Sequence, residues 1–109
     1  MKFQNDFIEY TTVQLDGGSD VTFYEDFPKN FAFNGAYMIW ETELKGVDFF
    51  ILGPKNEVLF SKMKKTHSTF NLLTQNEGTY SFVISNIRDS KQKTFSFAID
   101  TNFNETSIT

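Results

Sequence analysis

The sequence predicts an all-β protein: two antiparallel sheets packed face to face in a jelly-roll-like β-sandwich of eight or nine strands. Three observations predict it. Apolar and polar residues alternate with a period of two over most of the chain, as in strands with one buried face. Turn residues break these runs about every ten residues, the spacing usual in sandwiches. Phenylalanine dominates the candidate core, with Phe 14 against Tyr 4 and Trp 1, and each such ring buries on the order of 150–250 Å². At 109 residues the chain reads as one domain over residues 1–100 with a loose polar tail over 101–109.

The first run, Phe7 to Leu15, ends in Asp16-Gly17-Gly18-Ser19-Asp20, a turn composition. Val21 to Phe27 follows and stops at Pro28, which cannot donate to a central ladder. Asn30 to Phe33 reads as a short strand, and Asn34-Gly35 as a hairpin turn. Ala36 to Leu44 alternates, with Tyr37, Ile39 and Glu41 on one side and Met38, Trp40 and Thr42 on the other. Val47 to Leu52 is almost continuously apolar, which predicts a strand covered on both faces and ended by Gly53-Pro54. Glu57 to Met63 fits either period and is read as a strand.

Thr69 to Leu73, Thr79 to Ser85 and Thr94 to Ile99 complete the set. Within Gly78 to Asn86, GTYSFVISN, the glycine allows positive φ, Tyr80, Phe82 and Ile84 share one face, and Asn86 ends the strand by bonding nearby backbone. The last run places Phe95, Phe97 and Ile99 on one face.

The net charge of −4 argues against nucleic acid as the partner. Lys62, Lys64 and Lys65, and again Arg88, Lys91 and Lys93, form local basic clusters, read as solvated strand ends and loop tips in preference to an anion or lipid-headgroup site. No segment approaches the roughly 18 apolar residues of a membrane-spanning helix. MKFQNDFIEY carries no apolar run resembling a secretory signal, so the chain is either cytosolic or an ectodomain without its leader and anchor. With Cys 0, thiol catalysis, thiolate metal sites and disulfides are absent.

Three pieces of the chain resemble the GOLD domain, and within it the lumenal domain of the TMED family of cargo receptors. Phe23-Tyr24-Glu25 is similar to that family's Cys-Phe-Tyr-Glu motif, and Val47 to Pro54 to its strand running from an aspartate to a Pro turn. GTYSFVISN with Lys93 to Ile99 resembles its Gly-x-Tyr-x-Phe-Cys-Phe-x-Asn strand and closing strand. The resemblance implies a non-enzymatic module of traffic between endoplasmic reticulum and Golgi. Its partners would be other GOLD receptors and cargo proteins, with any membrane contact made through an anchor outside this stretch. It also implies that Thr22 and Val83 occupy the two positions of a family disulfide, worth about 4–5 kcal/mol on the chain-entropy account. Two further readings stay open: a cytosolic GOLD adaptor binding protein or lipid, and a carbohydrate- or calcium-binding sandwich.

The residues themselves offer few chemical sites. His67, the single histidine, lies in the polar stretch Lys64 to Ser68, read as a loop, and cannot form a multi-imidazole metal site alone. Asp16, Asp20, Glu25 and Asp26 are candidate oxygen ligands without the spacing of a defined calcium loop. No catalytic set, metal or cofactor site is expected. Asp48 heads an apolar strand, where a charge needs compensation; it is read as a residue reaching solvent or a turn backbone, while the family resemblance implies a partner-facing or fold-defining acid. Tyr37 and Trp40 face opposite ways, so either one fills the core and the other is a candidate interface aromatic, or both faces of the strand are covered. Asn104-Glu105-Thr106 is an N-x-[ST] glycosylation triplet.

Overall fold

The computed structural model describes residues 9–41 and 45–101. It contains eight strands among those residues: β1 (Glu9–Leu15), β2 (Asp20–Phe27), β3 (Ala32–Ile39), β4 (Val47–Leu52), β5 (Val58–Lys65), β6 (His67–Leu73), β7 (Gly78–Ser85) and β8 (Lys93–Asp100). They form two four-stranded sheets, in the order β1-β8-β3-β6 and β2-β7-β4-β5, every pair antiparallel. Only β4 and β5 form a hairpin within one sheet; the other connections cross from sheet to sheet. The tail and the Asn104 triplet lie outside the described residues.

Alternation along each strand sends one set of side chains between the sheets. Phe33, Tyr37 and Ile39 of β3, Phe49 and Ile51 of β4, Phe82 and Ile84 of β7, and Phe95 of β8 are all buried there. Phe49 lies at the centre, its ring 4.5 Å from Tyr37, 5.4 Å from Phe70 and 6.5 Å from Phe95. Cutting such a ring back to alanine costs about 3–5 kcal/mol. At the end of this core, the Tyr80 hydroxyl donates to the Asn76 carbonyl at 2.5 Å, a tyrosine corner that ties the turn before β7 to the strand.

The structure corrects four expectations. Asn34-Gly35 is not a turn: both residues lie inside β3, which pairs with β6 on one side and β8 on the other. A Cβ on Gly35 would sit 2.5 Å from the Phe70 ring, so glycine makes room for that ring against the sheet. His67 opens β6 and is not in a loop; a single residue, Thr66, separates it from β5. Of the lysines read as solvated, Lys93 is completely buried. β4 is covered by the opposite sheet on one face only, and Phe50 and Leu52 on the other are half-buried among their neighbours.

Gly78 keeps its predicted role. Its φ is 151°, and a Cβ there would lie 2.7 Å from Pro54 Cβ, so the start of β7 packs directly on the β4–β5 turn.

Candidate functional site

Thr22 and Val83 are direct partners in the β2–β7 register. Opposed residues on antiparallel strands have Cα atoms about 4.5–5.5 Å apart, within the span of a disulfide. The two residues neighbour each other without being bonded.

Tyr37 and Trp40 divide as alternation requires. Tyr37 turns inward and is 2% exposed, and its hydroxyl has no hydrogen-bond partner. Burial, with Asp48 nearby, pushes that hydroxyl up to about 12. Trp40 is 60% exposed, yet it is held firmly. Its amide donates to Thr94 O at 3.0 Å and its indole Nε1 to Ser96 Oγ at 2.8 Å, which in turn lies 2.7 Å from Thr12 Oγ1. The next residue, Glu41, receives both the amide and the hydroxyl of Thr94 at 2.8 Å. Those bonds, the amide's first, hold the Glu41 carboxyl below the usual carboxylate range. The indole thus forms one wall of a shallow apolar depression floored by Ala36 and Ala98.

Asp48 is buried and fully engaged. Its Oδ1 accepts the Lys64 amide at 2.9 Å and its Oδ2 meets Arg88 Nε at 3.2 Å. Lys64 has φ of 60° at the irregular pairing between β4 and β5, so the carboxylate pins a bulge in an edge strand. This is neither solvent contact nor a turn bond, but a link from β4 to β5 and to the loop after β7.

Next to it lies a group of residues that sequence reasoning did not bring together. Asn86 Nδ2 is 2.9 Å from Lys91 O, 3.1 Å from Asp16 O and 3.4 Å from Leu15 O. Its Oδ1 accepts from the buried Lys93 Nζ at 2.5 Å, and Lys93 also pairs with Asp89 at 2.9 Å. That bond from Lys93 holds the Asp89 carboxyl below its usual range. One amide therefore sews the β1–β2 turn to the β7–β8 turn. The signal was present only as a lysine two residues before, and so in phase with, the inward-facing Phe95-x-Phe97 series.

The four candidate calcium ligands do not converge. Asp20 and Asp26 stand on one strand, about 20 Å apart at the usual rise per residue. Asp26 accepts from Thr79 and Asp16 from Gln92. Among the described residues no group of three or more His, Cys, Asp or Glu side chains could hold a metal ion.

Comparison with known proteins decides the family. The sequence profile of the emp24/gp25L/p24 family/GOLD domain matches residues 11–108, nearly the whole sandwich. The chain belongs to the emp24/gp25L/p24 family. A relative, transmembrane emp24 domain-containing protein A of Dictyostelium discoideum, is 24% identical over 96 residues. The match takes in 87% of this chain but 47% of that protein, so the chain spans about half the length of its curated relative. Among solved structures, the crystal structure of Aeromonas hydrophila PliG, a periplasmic lysozyme inhibitor of g-type lysozyme, superposes with a TM-score of 0.61. That match covers 92% of this chain and 91% of PliG at 11% identity, a likeness of fold alone. This GOLD domain contains no cysteine, and Thr22 faces Val83 across its β2–β7 pairing. Among the described residues, no helix is long and apolar enough to cross a membrane.

Proposed function

We propose that this GOLD domain is the lumenal, non-enzymatic part of a vesicular-traffic cargo receptor, binding cargo and associating with other GOLD receptors between endoplasmic reticulum and Golgi. The observation that carries the reading is the family match over residues 11–108 on an intact sandwich. Two surface features support it physically. Trp40 is an exposed aromatic whose conformation is already restricted by hydrogen bonds, which suits a contact residue because little side-chain entropy remains to be lost. The free edges of one sheet carry opposite charge: β2 bears Asp20, Glu25 and Asp26, and β5 bears Lys62, Lys64 and Lys65. Because β2 and β5 run in opposite directions, the acidic edge of one copy can extend the basic edge of another as an antiparallel pair.

Sedimentation at high micromolar concentration tests the association, with weak self-association expected that added salt reverses. A strictly monomeric profile throughout counts against it. For the cargo role, cells lacking the gene should retain a subset of secretory proteins in the endoplasmic reticulum. Return of wild-type but not Trp40→Ala protein should restore their export; unaltered export in the deleted cells would sink the reading.

A further inference from the structure

Lys64 and Arg88, one from each of the two basic clusters that lie apart in the sequence, meet at one place in the fold. A cleft of about 370 Å³ opens beside the start of β4, and Lys45, Lys64 and Arg88 stand around it with Asp48 and Asp89. Both carboxylates are already committed: Asp48 to the Lys64 amide and Arg88 Nε, Asp89 to the buried Lys93. Three cations, Lys45, Lys64 and Arg88, thus line the cleft beside two carboxylates that are already paired, on a protein whose net charge is −4. Neither Lys45 nor Lys64 forms an ion pair with a described residue.

Arg88 is the decisive member. Its side chain is 53% exposed, while the carboxylate that grips its Nε is only 9% exposed. A guanidinium held through Nε keeps its two terminal nitrogens available, and their planar fork matches an oxyanion. Holding it in advance removes part of the ordering cost that a free surface arginine would meet on binding. The cleft floor is equally fixed, since a Cβ on Gly46 would sit 2.2 Å from the Lys65 carbonyl carbon, and the Asp48 carboxylate pins the neighbouring bulge. A solvated strand end needs none of this arrangement.

We propose that this cleft is a binding site for a phosphate group, with Arg88 as the bidentate contact and the Lys45 and Lys64 ammonium groups closing around the remaining oxygens. The phosphate belongs either to a soluble monoester or to a lipid headgroup, and the site chemistry is the same for both. It is separate from the Trp40 depression and does not depend on the trafficking role.

The test is titration of the 15N-labelled chain with inorganic phosphate at constant ionic strength, at concentrations where the protein is monomeric. Saturable amide shifts are expected at Gly46, Lys64, Ser85 and Arg88. Arg88→Gln should weaken the affinity about tenfold or more, the loss of a charge-assisted pair. Because Arg88→Gln also removes a partner of Asp48, the double variant Lys45→Gln/Lys64→Gln serves as the second arm. It alters only exposed ammonium groups and should weaken binding about tenfold, while Lys91→Gln leaves it unchanged. Glycerol phosphate and vesicles containing phosphatidic acid then identify the source. Saturable binding to the soluble ester alone assigns a soluble ligand, and capture by vesicles that is lost in the double variant assigns a headgroup. Absence of saturable shifts with phosphate, or equal affinity in wild type and both cleft variants, overturns the proposal.

Discussion

Replacing Tyr37 with phenylalanine should make this domain more stable. The ring is 2% exposed and packs at a tilt 4.5 Å from Phe49 and 5.6 Å from Phe95, contacts that phenylalanine retains unchanged. The hydroxyl is buried without a partner, so the substitution removes a desolvated polar group and nothing that it holds. Leaving such a group unsatisfied costs about 1–3 kcal/mol, so a gain of about 1–2 kcal/mol is expected at pH 7. Each kcal/mol moves the Tm of a domain this size by roughly 4–8 °C. The alkaline limb gives a second, independent reading. The Tyr37 hydroxyl titrates near 12 in the folded state, against 10.0 for the ordinary group. The unfolded chain therefore releases this proton first, and stability that is intact below pH 10 is lost as the pH rises through 12. The difference corresponds to roughly 2–3 kcal/mol. Urea unfolding followed by Trp40 fluorescence at pH 7 and from pH 9 to 12 reads both effects, and subtracting the two proteins cancels the titration of the shared lysines. The variant should start ahead, and its lead should widen with pH. A less stable variant at pH 7, or a lead that stays constant to pH 12, would refute the reasoning.

In acid the sign reverses: the lowered Asp89 and Glu41 carboxyls add stability above about pH 4 that is lost as the pH falls through their folded values. Asp89→Asn should flatten that part of a thermal-melt profile between pH 2 and 5, and an unchanged slope would remove Asp89 from the account. Asn86→Ala withdraws one acceptor from the buried Lys93 and the donors of three carbonyls, and should cost about 3 kcal/mol in urea unfolding; a loss below 1 kcal/mol would mean that water replaces the amide. The double variant Thr22→Cys/Val83→Cys should oxidise spontaneously and raise stability by about 2–4 kcal/mol. Persistent free thiols under air oxidation would contradict the β2–β7 register.

Much of the fold was legible because strand alternation and turn chemistry are local. Tyr80, Phe82 and Ile84 announced their shared face, and Pro28 and Gly53-Pro54 marked strand ends that the structure keeps. Strand order was not legible, since alternation says which face a residue takes and not which strand lies beside it. In this sandwich most successive strands belong to different sheets, so local reading could not pair them. Asn34-Gly35 misled for a related reason: the glycine answers to Phe70, 35 positions away, and not to a local bend. The same holds for Asp48 and Arg88, 40 positions apart, and for Asn86, which reaches Leu15 and Asp16 only once the β1–β2 and β7–β8 turns are brought together. Lys93 looked solvated because a lysine carries no mark of its future acceptors. Trp40 and Tyr37 were separable in principle by alternation alone, but which of them faced inward depended on Phe49 and Phe95 filling the far side.

The lack of cysteine bears on how this domain reaches its folded state. Where a cross-link joins β2 to β7, maturation waits for an oxidant and can stall with mispaired thiols. Here the same two strands meet through backbone pairing and the aromatic core, with Cys 0 in the chain. Folding is consequently indifferent to reductant: dithiothreitol that arrests thiol-dependent neighbours should leave this domain's folding rate and melting curve untouched.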